Sequence, residues 1–487
     1  MAEDNLKKKA ASGMVWSAIQ KYSTMLITFI SGIILARLLM PEDYGAIGML
    51  LIFMSLAEVF IDAGFGSALI QKKKPTQTDY STVFYFNIVM SVILYGVIYL
   101  SAPAIAEFYR MPILCKVLRV QGLILFVYAF SIIQRNQIRK NLKFKLLSKV
   151  TITSSIISLV VTVILAYMGF GVWALVAQYF LGAFIPCVFF WLTMSWKPTW
   201  EYSWASFREL FGFGSYMFLT HLFTTFSQRI TGLLVGRWYN SATMGYYTKA
   251  SAFSKYATLS ISGVMIQTTY PLYASVQEDR ERLINMVKRI TSTLAYITVP
   301  MLSILILIAK PLIVFLYSDR WLPSVPYFQI LCIGGMAGCL LSVNQQTIAA
   351  IGKSKVFFTW TIVKESVGIA SQIIGLILWG IWGLLAGKVF ASWFSYIVNI
   401  SLVSKHVGYK HYQQLIDLSP IFLASGISLA LGYFISGLFG LDFYVDALVK
   451  VAIFATIYMG WSVIFKPESY TYTLSIVETI RSKKSKK

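Results

Sequence analysis

Charged residues are scarce in this chain. Only 13% of its 487 residues are Asp, Glu, Lys or Arg, whereas 57% are hydrophobic and the mean hydropathy is +0.68. A soluble protein of this length could not bury so much apolar surface. The composition therefore excludes an ordinary soluble protein and indicates a chain that lies in a lipid bilayer.

Cysteine is also rare, and its positions exclude two kinds of site. The four cysteines, Cys115, Cys187, Cys332 and Cys339, lie mostly in hydrophobic segments without metal-ligand spacing. They predict apolar packing and neither a disulfide framework nor a metal site. A glycine-rich phosphate loop followed by Lys and Ser or Thr is likewise missing from the sequence, which argues against direct use of ATP. We therefore expect no cofactor and no metal.

Acidic residues number 20 against 42 Lys and Arg, which gives a net charge of +22. The basic residues come in short bursts between apolar stretches, such as Lys7–Lys9, Lys72–Lys74, the cluster from Arg135 to Lys149 and the SKKSKK tail. This is the positive-inside pattern of membrane proteins and not a nucleic-acid-binding surface. It predicts a membrane protein with both termini in the cytoplasm.

Apolar runs of about 20 residues predict fourteen transmembrane helices. The spans are 13–38, 44–70, 80–102, 116–133, 150–168, 171–194, 210–237, 244–270, 291–317, 325–351, 356–379, 383–404, 417–438 and 445–465. The predicted fold class is an all-α polytopic membrane protein. Its predicted domains are two pseudo-symmetric six-helix lobes and a final helix pair with a basic cytoplasmic tail, at 1–209, 210–414 and 415–487.

An internal repeat supports the two lobes. The first block pairs Gly32, Arg37 and Gly45 with Gly232, Arg237 and Gly245. The second pairs Pro103, Ile105 and Tyr109 with Pro311, Ile313 and Tyr317. The third pairs GVWALVA at 171–177 with GIWGLLA at 380–386. Three blocks in one order and at nearly constant spacing indicate a duplication, which is typical of transporters built around a central site.

Ionisable residues inside the spans are the functional candidates, because each costs ~2.5–3.5 kcal/mol at a helix centre on insertion scales. The candidates for a cationic, substrate-binding lumen are Lys21, His221, Arg229, Lys249, Lys255, Lys364 and Lys388. Such bases would attract phosphate or carboxylate groups. The alternative is ion pairing between helices, for which Lys364 beside Glu365 is the strongest case.

Two acids in the first lobe, Glu58 and Asp62, are one helical turn apart. Together with Ser55 they form a stripe at spacings of three, four and seven, and Lys21 lies on a similar stripe of the preceding helix. We expect these stripes to face a shared aqueous lumen; the alternative is that their polar groups only join neighbouring helices. Two ionised carboxylates so close would repel. We therefore hypothesise that Glu58 and Asp62 couple ion movement to transport, the rival being neutralisation by Lys21 or another base.

A family resemblance agrees with this interpretation. LARLLMPEDYGAIGML at 35–50 and IDAGFGSALIQKKK at 61–74 resemble Wzx-type polysaccharide flippases of the multidrug/oligosaccharidyl-lipid/polysaccharide exporter superfamily, and are especially similar to the colanic acid exporter branch. GVWALVAQY at 171–179 also fits, so the resemblance covers most of the chain. It implies two six-helix bundles and a final helix pair that move undecaprenyl-diphosphate-linked sugar units to the outer leaflet by alternating access.

The resemblance implies a lipid-linked oligosaccharide as substrate and membrane lipids as partners. It leaves open H+ or Na+ as coupling ion, and a polysaccharide polymerase and glycosyltransferases as further partners. It brings no catalytic residues. Two other functions are alternatives. A drug or small-molecule exporter would need fewer lumen bases, and a glycan polymerase or ligase would need an external catalytic loop. His406 and His411 fall in a predicted cytoplasmic connection, so a non-enzymatic transporter is preferred.

Overall fold

The computed structural model describes the backbone of residues 2–276, 279–351 and 353–485, and the side chains of residues 12–258, 272–273, 276, 279–351, 353, 356, 358–475 and 478. Within these residues the regular structure is helical, with a short 3₁₀ turn at Asp319–Trp321. The helices are α1 (Ala2–Leu38), α2 (Pro41–Asp62), α3 (Phe65–Gln71), α4 (Gln77–Phe108), α5 (Ile113–Gln121), α6 (Ile124–Lys140), α7 (Phe144–Tyr167), α8 (Val172–Thr193), α9 (Trp204–Trp238), α10 (Ser241–Ser275), α11 (Arg280–Leu307), α12 (Ala309–Tyr317), α13 (Ser324–Ala350), α14 (Ser354–His406), α15 (His411–Gly437), α16 (Phe443–Phe465) and α17 (Glu468–Ser485).

The all-α polytopic fold class is confirmed. Eleven helical segments of the described chain are long and apolar enough to cross a membrane. The predicted count of fourteen is not confirmed, and the difference has an identifiable source. α9 and α10 are not among the eleven, and α14 counts once although its backbone is non-helical at Trp379 and Gly380.

The chain forms two compact units, the first at Met1–Thr248 and the second at Lys249–Lys487. The first unit includes α9, which packs against α2, α3 and α4. The division into lobes at 1–209 and 210–414 stays a prediction.

The first unit contains a backbone contact between repeat-related residues. A β-carbon at Gly45 would lie 1.8 Å from the carbonyl oxygen of Ser241, and one at Gly245 would lie 1.9 Å from that of Pro41. The first turns of α2 and α10 therefore pack reciprocally, backbone against backbone. Only glycine permits so close an approach.

A break between α2 and α3 gives the first unit its second close contact. Ala63 and Gly64 both have left-handed backbone angles, with φ of 42° and 78°. A β-carbon at Gly64 would lie 2.1 Å from the carbonyl oxygen of Gly214 on α9. The far end of α3 is held as well, since Lys72 pairs with Asp79 at 3.0 Å and with Glu209 at 2.9 Å. These contacts join α2, α3, α4 and α9 along one side of the unit.

The second unit is built around α11, which packs against α13, α15, α16 and α17. Tyr273, Leu294 and Val343 belong to its buried apolar cluster. Tyr409 lies in the connection between α14 and α15. Its Oη donates a hydrogen bond of 2.5 Å to Oδ2 of Asp417 on α15. Burial, together with this carboxylate, raises the pKa of Tyr409.

Repeat-related residues also make corresponding contacts in the two units. In the first unit the Oη of Tyr109 donates to the carbonyl oxygen of Met49 at 3.3 Å. In the second unit the ring centroid of Tyr317 lies 5.3 Å from Nζ of Lys249. A tyrosine thus meets the same helix position in each unit. In the first unit its hydroxyl contacts the backbone of Met49, and in the second its ring contacts the side chain of Lys249.

Candidate functional site

A polar cavity lies within the first unit, between α1, α2 and α5 to α9. It has two adjoining compartments of about 500 Å³ and about 340 Å³ that share Ser55, Glu58, Tyr128 and Arg229 in their linings. Both volumes fall in the range of roughly 300–1,000 Å³ that is usual for small-molecule sites. We call the smaller one the ionic compartment, because Glu58, Asp62, His221 and Arg229 line it. We call the larger one the hydroxyl compartment, because its other polar lining residues are Thr28, Ser31, Gln121, Arg135, Ser155, Ser158, Gln178 and Tyr179.

The two acids lie on α2 at the end where that helix breaks. Glu58 and Asp62 are both partly buried, and Ser55 lines the cavity one turn before Glu58. Oδ1 of Asp62 accepts a hydrogen bond of 3.2 Å from the backbone N–H of Gly66. The carboxylate of Asp62 therefore caps α3 as well as lining the ionic compartment.

Two arginines approach Glu58 from different helices. Arg135 on α6 and Arg229 on α9 both interact electrostatically with its carboxylate, as His221 and Arg139 do with Asp62. Among the described side chains, no ion pair of 4.0 Å or less joins either acid to a base. The charges compensate one another across the cavity and are not locked in contact, so an anionic ligand can compete for the arginines.

The structure brings together four of the predicted site residues. Glu58, Asp62, His221 and Arg229 share the ionic compartment. Lys21 is half-buried on α1 and is not among the lining residues of either compartment. The two compartments together are lined by two carboxylates, those of Glu58 and Asp62, and by two guanidinium groups, those of Arg135 and Arg229. The functional roles predicted for all these residues stay predictions.

The other four predicted bases belong to the second unit. Lys249 is 6% exposed, and its Nζ lies 5.3 Å and 5.7 Å from the ring centroids of Tyr317 and Trp321. Lys364 is 5% exposed and next to Glu365 in the chain. Lys255 is exposed and Lys388 is half-buried. Their role in substrate binding also stays a prediction.

Sequence reasoning missed Arg135, which it assigned to the basic cytoplasmic face. The signal that could have found it is a stripe, because Gln121, Tyr128 and Arg135 follow one another at intervals of seven and all line the hydroxyl compartment. Spacing of seven places side chains on one face of a helix. The short break between α5 and α6 does not disturb this alignment.

The contact between Ser31 and Gln178 had no signal in the sequence. Ser31 and Gln178 come from distant parts of the chain, and they become neighbours only through the packing of α1 and α8. The Nε2 of Gln178 donates a hydrogen bond of 2.7 Å to Oγ of Ser31.

Comparisons with known proteins show what this chain is similar to. Residues 34–326 match the family model described as polysaccharide biosynthesis protein. Among curated relatives, the teichuronic acid biosynthesis protein TuaB of Bacillus subtilis is 25% identical, covering 73% of this chain and 74% of its own length. The lipopolysaccharide biosynthesis protein WzxC of Escherichia coli is 20% identical and covers 89% of both chains. Among solved structures, the lipid II flippase MurJ in an inward closed conformation has a TM-score of 0.72 at 18% identity, covering 93% of this chain and 98% of its own.

Proposed function

Because this chain belongs to the polysaccharide biosynthesis protein family, we propose that it moves lipid-linked oligosaccharide units across the membrane, with undecaprenyl diphosphate as the lipid carrier. The resemblance to Wzx-type flippases is confirmed by the family match and by relatives such as WzxC. The chain has eleven described helical segments that could cross a membrane and a fold like that of the lipid II flippase MurJ. We propose that it acts as a transporter and not as an enzyme.

The observation that carries the proposal is the pair of arginines around Glu58. Arg135 and Arg229 come from two different helices and line the same cavity within the bundle. A guanidinium group binds phosphate oxygens in a bidentate manner and keeps its charge in a partly dry site. Two such groups suit the two phosphates of a lipid diphosphate. A single small anion would need fewer.

We propose that the diphosphate replaces Glu58 as the partner of the two arginines. Before binding, the two carboxylates of the cavity are matched by its two guanidinium groups. The arriving phosphates add negative charge, which the carboxylates would repel. Uptake of H+ or another cation by Glu58 and Asp62 would relieve this repulsion. Ion coupling would therefore follow from acids and bases sharing one cavity.

The location and partners of the protein are part of the same proposal. We propose that the chain lies in the bacterial inner membrane with both termini in the cytoplasm, and that it acts beside a polysaccharide polymerase and glycosyltransferases. The orientation depends on basic segments in the sequence. Lys7–Lys9 and the SKKSKK tail lie outside the described side chains, and Lys21, Lys249, Lys255, Lys364 and Lys388 remain predicted contributors to substrate binding.

The proposal is tested by reconstitution into liposomes with an undecaprenyl-diphosphate-linked oligosaccharide. Flipping is measured for wild type, Arg229→Ala and Lys255→Ala, with Arg208→Ala as the matched control. Arg208 is exposed, lies on the same helix as Arg229 and is not among the cavity's lining residues. We expect a large loss in Arg229→Ala and none in the control. Unchanged flipping in both Arg229→Ala and Lys255→Ala would refute the phosphate site.

A further inference from the structure

The hydroxyl compartment differs in chemistry from the ionic compartment beside it. Its charged lining residues are Glu58, Arg135 and Arg229, of which Glu58 and Arg229 also line the ionic compartment. Its other polar lining includes hydroxyl and amide groups contributed by α1, α5, α7 and α8. Such groups both donate and accept hydrogen bonds without carrying charge. They match the hydroxyl groups of an uncharged sugar and not a further phosphate.

The amide of Gln178 is held in a defined orientation. Its Nε2 donates a hydrogen bond of 2.7 Å to Oγ of Ser31, and its backbone carbonyl accepts one of 3.1 Å from Oγ of Ser158. These contacts join α8 to α1 and α7. With Nε2 engaged, Oε1 of Gln178 is left as the acceptor that this lining side chain can offer to a ligand.

Gln121 provides a second acceptor in the same wall. Its side chain is 1% exposed, and Oε1 has no hydrogen-bond partner within the described residues. A buried acceptor without a donor costs about 1–3 kcal/mol. Because Gln121 lines the compartment, a ligand hydroxyl can satisfy this oxygen.

Aromatic rings complete the lining. Tyr179 is 43% exposed and Tyr128 is partly buried, and both line the compartment. A tyrosine ring offers an apolar face with a polar tip. A pyranose ring has the complementary form, since its C–H faces are apolar and its edge carries hydroxyl groups.

We propose that the hydroxyl compartment binds an uncharged pyranose ring, the sugar attached directly to the diphosphate. The inference rests on the proposed function, because Arg135 and Arg229 at the junction would hold the diphosphate. The first sugar of the glycan would then lie against Gln178, Gln121 and Tyr179. The site would select for the glycan as well as for the lipid carrier.

The experiment measures equilibrium binding of two probes to the full chain in lipid nanodiscs. The probes are undecaprenyl diphosphate and undecaprenyl diphosphate carrying one glucose. We expect wild type to bind the glucosylated probe more tightly. In Gln178→Leu the ratio of the two affinities should fall about tenfold, because oriented hydrogen bonds to the sugar are lost. The affinity for the bare lipid should stay the same.

Two further variants separate sugar binding from folding. Gln20→Leu is the matched control, since Gln20 makes a similar interhelical bond, of 3.3 Å to Oγ1 of Thr151, and is not among the lining residues. Gln20→Leu should keep the wild-type ratio of the two affinities. Gln121→Leu removes an unsatisfied buried acceptor, so it should fold at least as well as wild type and still lose part of the difference.

The outcomes are distinguishable. If wild type binds neither probe, the proposed function fails. If wild type binds both probes equally, the proposed function stands and the sugar site is wrong. If Gln178→Leu or Gln121→Leu weakens both probes by the same factor, these residues support the fold and do not contact sugar, which also overturns the inference.

Discussion

The two units treat their buried charges differently. In the first unit, Glu58 and Arg229 face a cavity and compensate each other across it. In the second unit, Lys249 lies among aromatic rings and is 6% exposed. At the position that the repeat relates to Lys249, the first unit has Met49, which is also buried. The repeat thus relates two equivalent helix positions that each have a tyrosine neighbour. The charged residues of the first unit, in contrast, line a cavity.

Burial of an ionisable residue is therefore not enough to identify a binding residue. Charge inside a membrane protein is costly wherever it lies. Around a cavity, the cost can be offset by a ligand of opposite charge. Among packed rings it is offset by cation–π contact and by the fold itself. We therefore predict a ranking in which Arg135 and Arg229 contribute more to substrate binding than Lys249 does.

The strongest way to test this ranking is the double variant Arg135→Ala, Arg229→Ala. We expect flipping of an undecaprenyl-diphosphate oligosaccharide to fall about a hundredfold or more, because two charge-assisted phosphate contacts are lost. The measurement is initial flipping rate in proteoliposomes. Arg208→Ala serves as control and should retain its rate; an equal loss in the control would place the effect on folding or insertion.

A smaller effect is expected from neutralising the acids in Glu58→Gln, Asp62→Asn. Removing the carboxylates frees Arg135 and Arg229, so undecaprenyl diphosphate should bind several-fold more tightly. Transport should lose its dependence on the ion gradient, with a rate about tenfold below wild type under a full gradient. Flipping rate is compared with and without the gradient. Full gradient dependence in the double variant would remove these acids from ion coupling.

Gly64→Ala tests the break that follows α2, the helix that contains Glu58 and Asp62. The substitution would place a β-carbon 2.1 Å from the carbonyl oxygen of Gly214, at a backbone φ of 78°. We expect it to destabilise the protein by about 2 kcal/mol or more and to reduce flipping in proportion to the folded fraction. Thermal unfolding in detergent provides the measurement. Gly96→Ala, where a β-carbon would meet nothing within 4 Å, should change the unfolding temperature little.

The smallest effect is expected from Lys249→Met, which gives the second unit the residue that the repeat predicts. Methionine is apolar and adaptable, so it can fill the space beside Tyr317 and Trp321. Because a cation–π contact is worth only about 0.5–2 kcal/mol, we expect less than about a twofold change in flipping. A loss as large as that of Arg229→Ala would reverse the ranking and make Lys249 a substrate-binding residue.

The sequence predicted the helical membrane fold and much of the ionic compartment for one physical reason. Both depend on periodicity within single helices, and the stripe of Ser55, Glu58 and Asp62 is a local pattern. His221 and Arg229 were found because charge within an apolar run is conspicuous. These four ionisable residues do share a compartment, although no observation yet tests their roles.

The hydroxyl compartment could not be found in this way. Ser31 and Gln178 are 147 positions apart and meet only when α1 and α8 pack together. A serine or glutamine in an apolar helix is as common in a helix contact as in a binding site. Arg135 was missed for another reason, since it lies near the end of a span where basic residues usually mark the cytoplasmic face.

The most direct test of the central claim is equilibrium binding of undecaprenyl diphosphate to the full chain. Wild type is compared with Arg135→Ala, Arg229→Ala and with Arg208→Ala, all in nanodiscs of the same lipids. Binding by the cavity predicts that the double variant loses nearly all affinity, while Arg208→Ala binds as wild type does. Equal affinity in all three proteins would contradict the account, because the lipid diphosphate would then bind elsewhere.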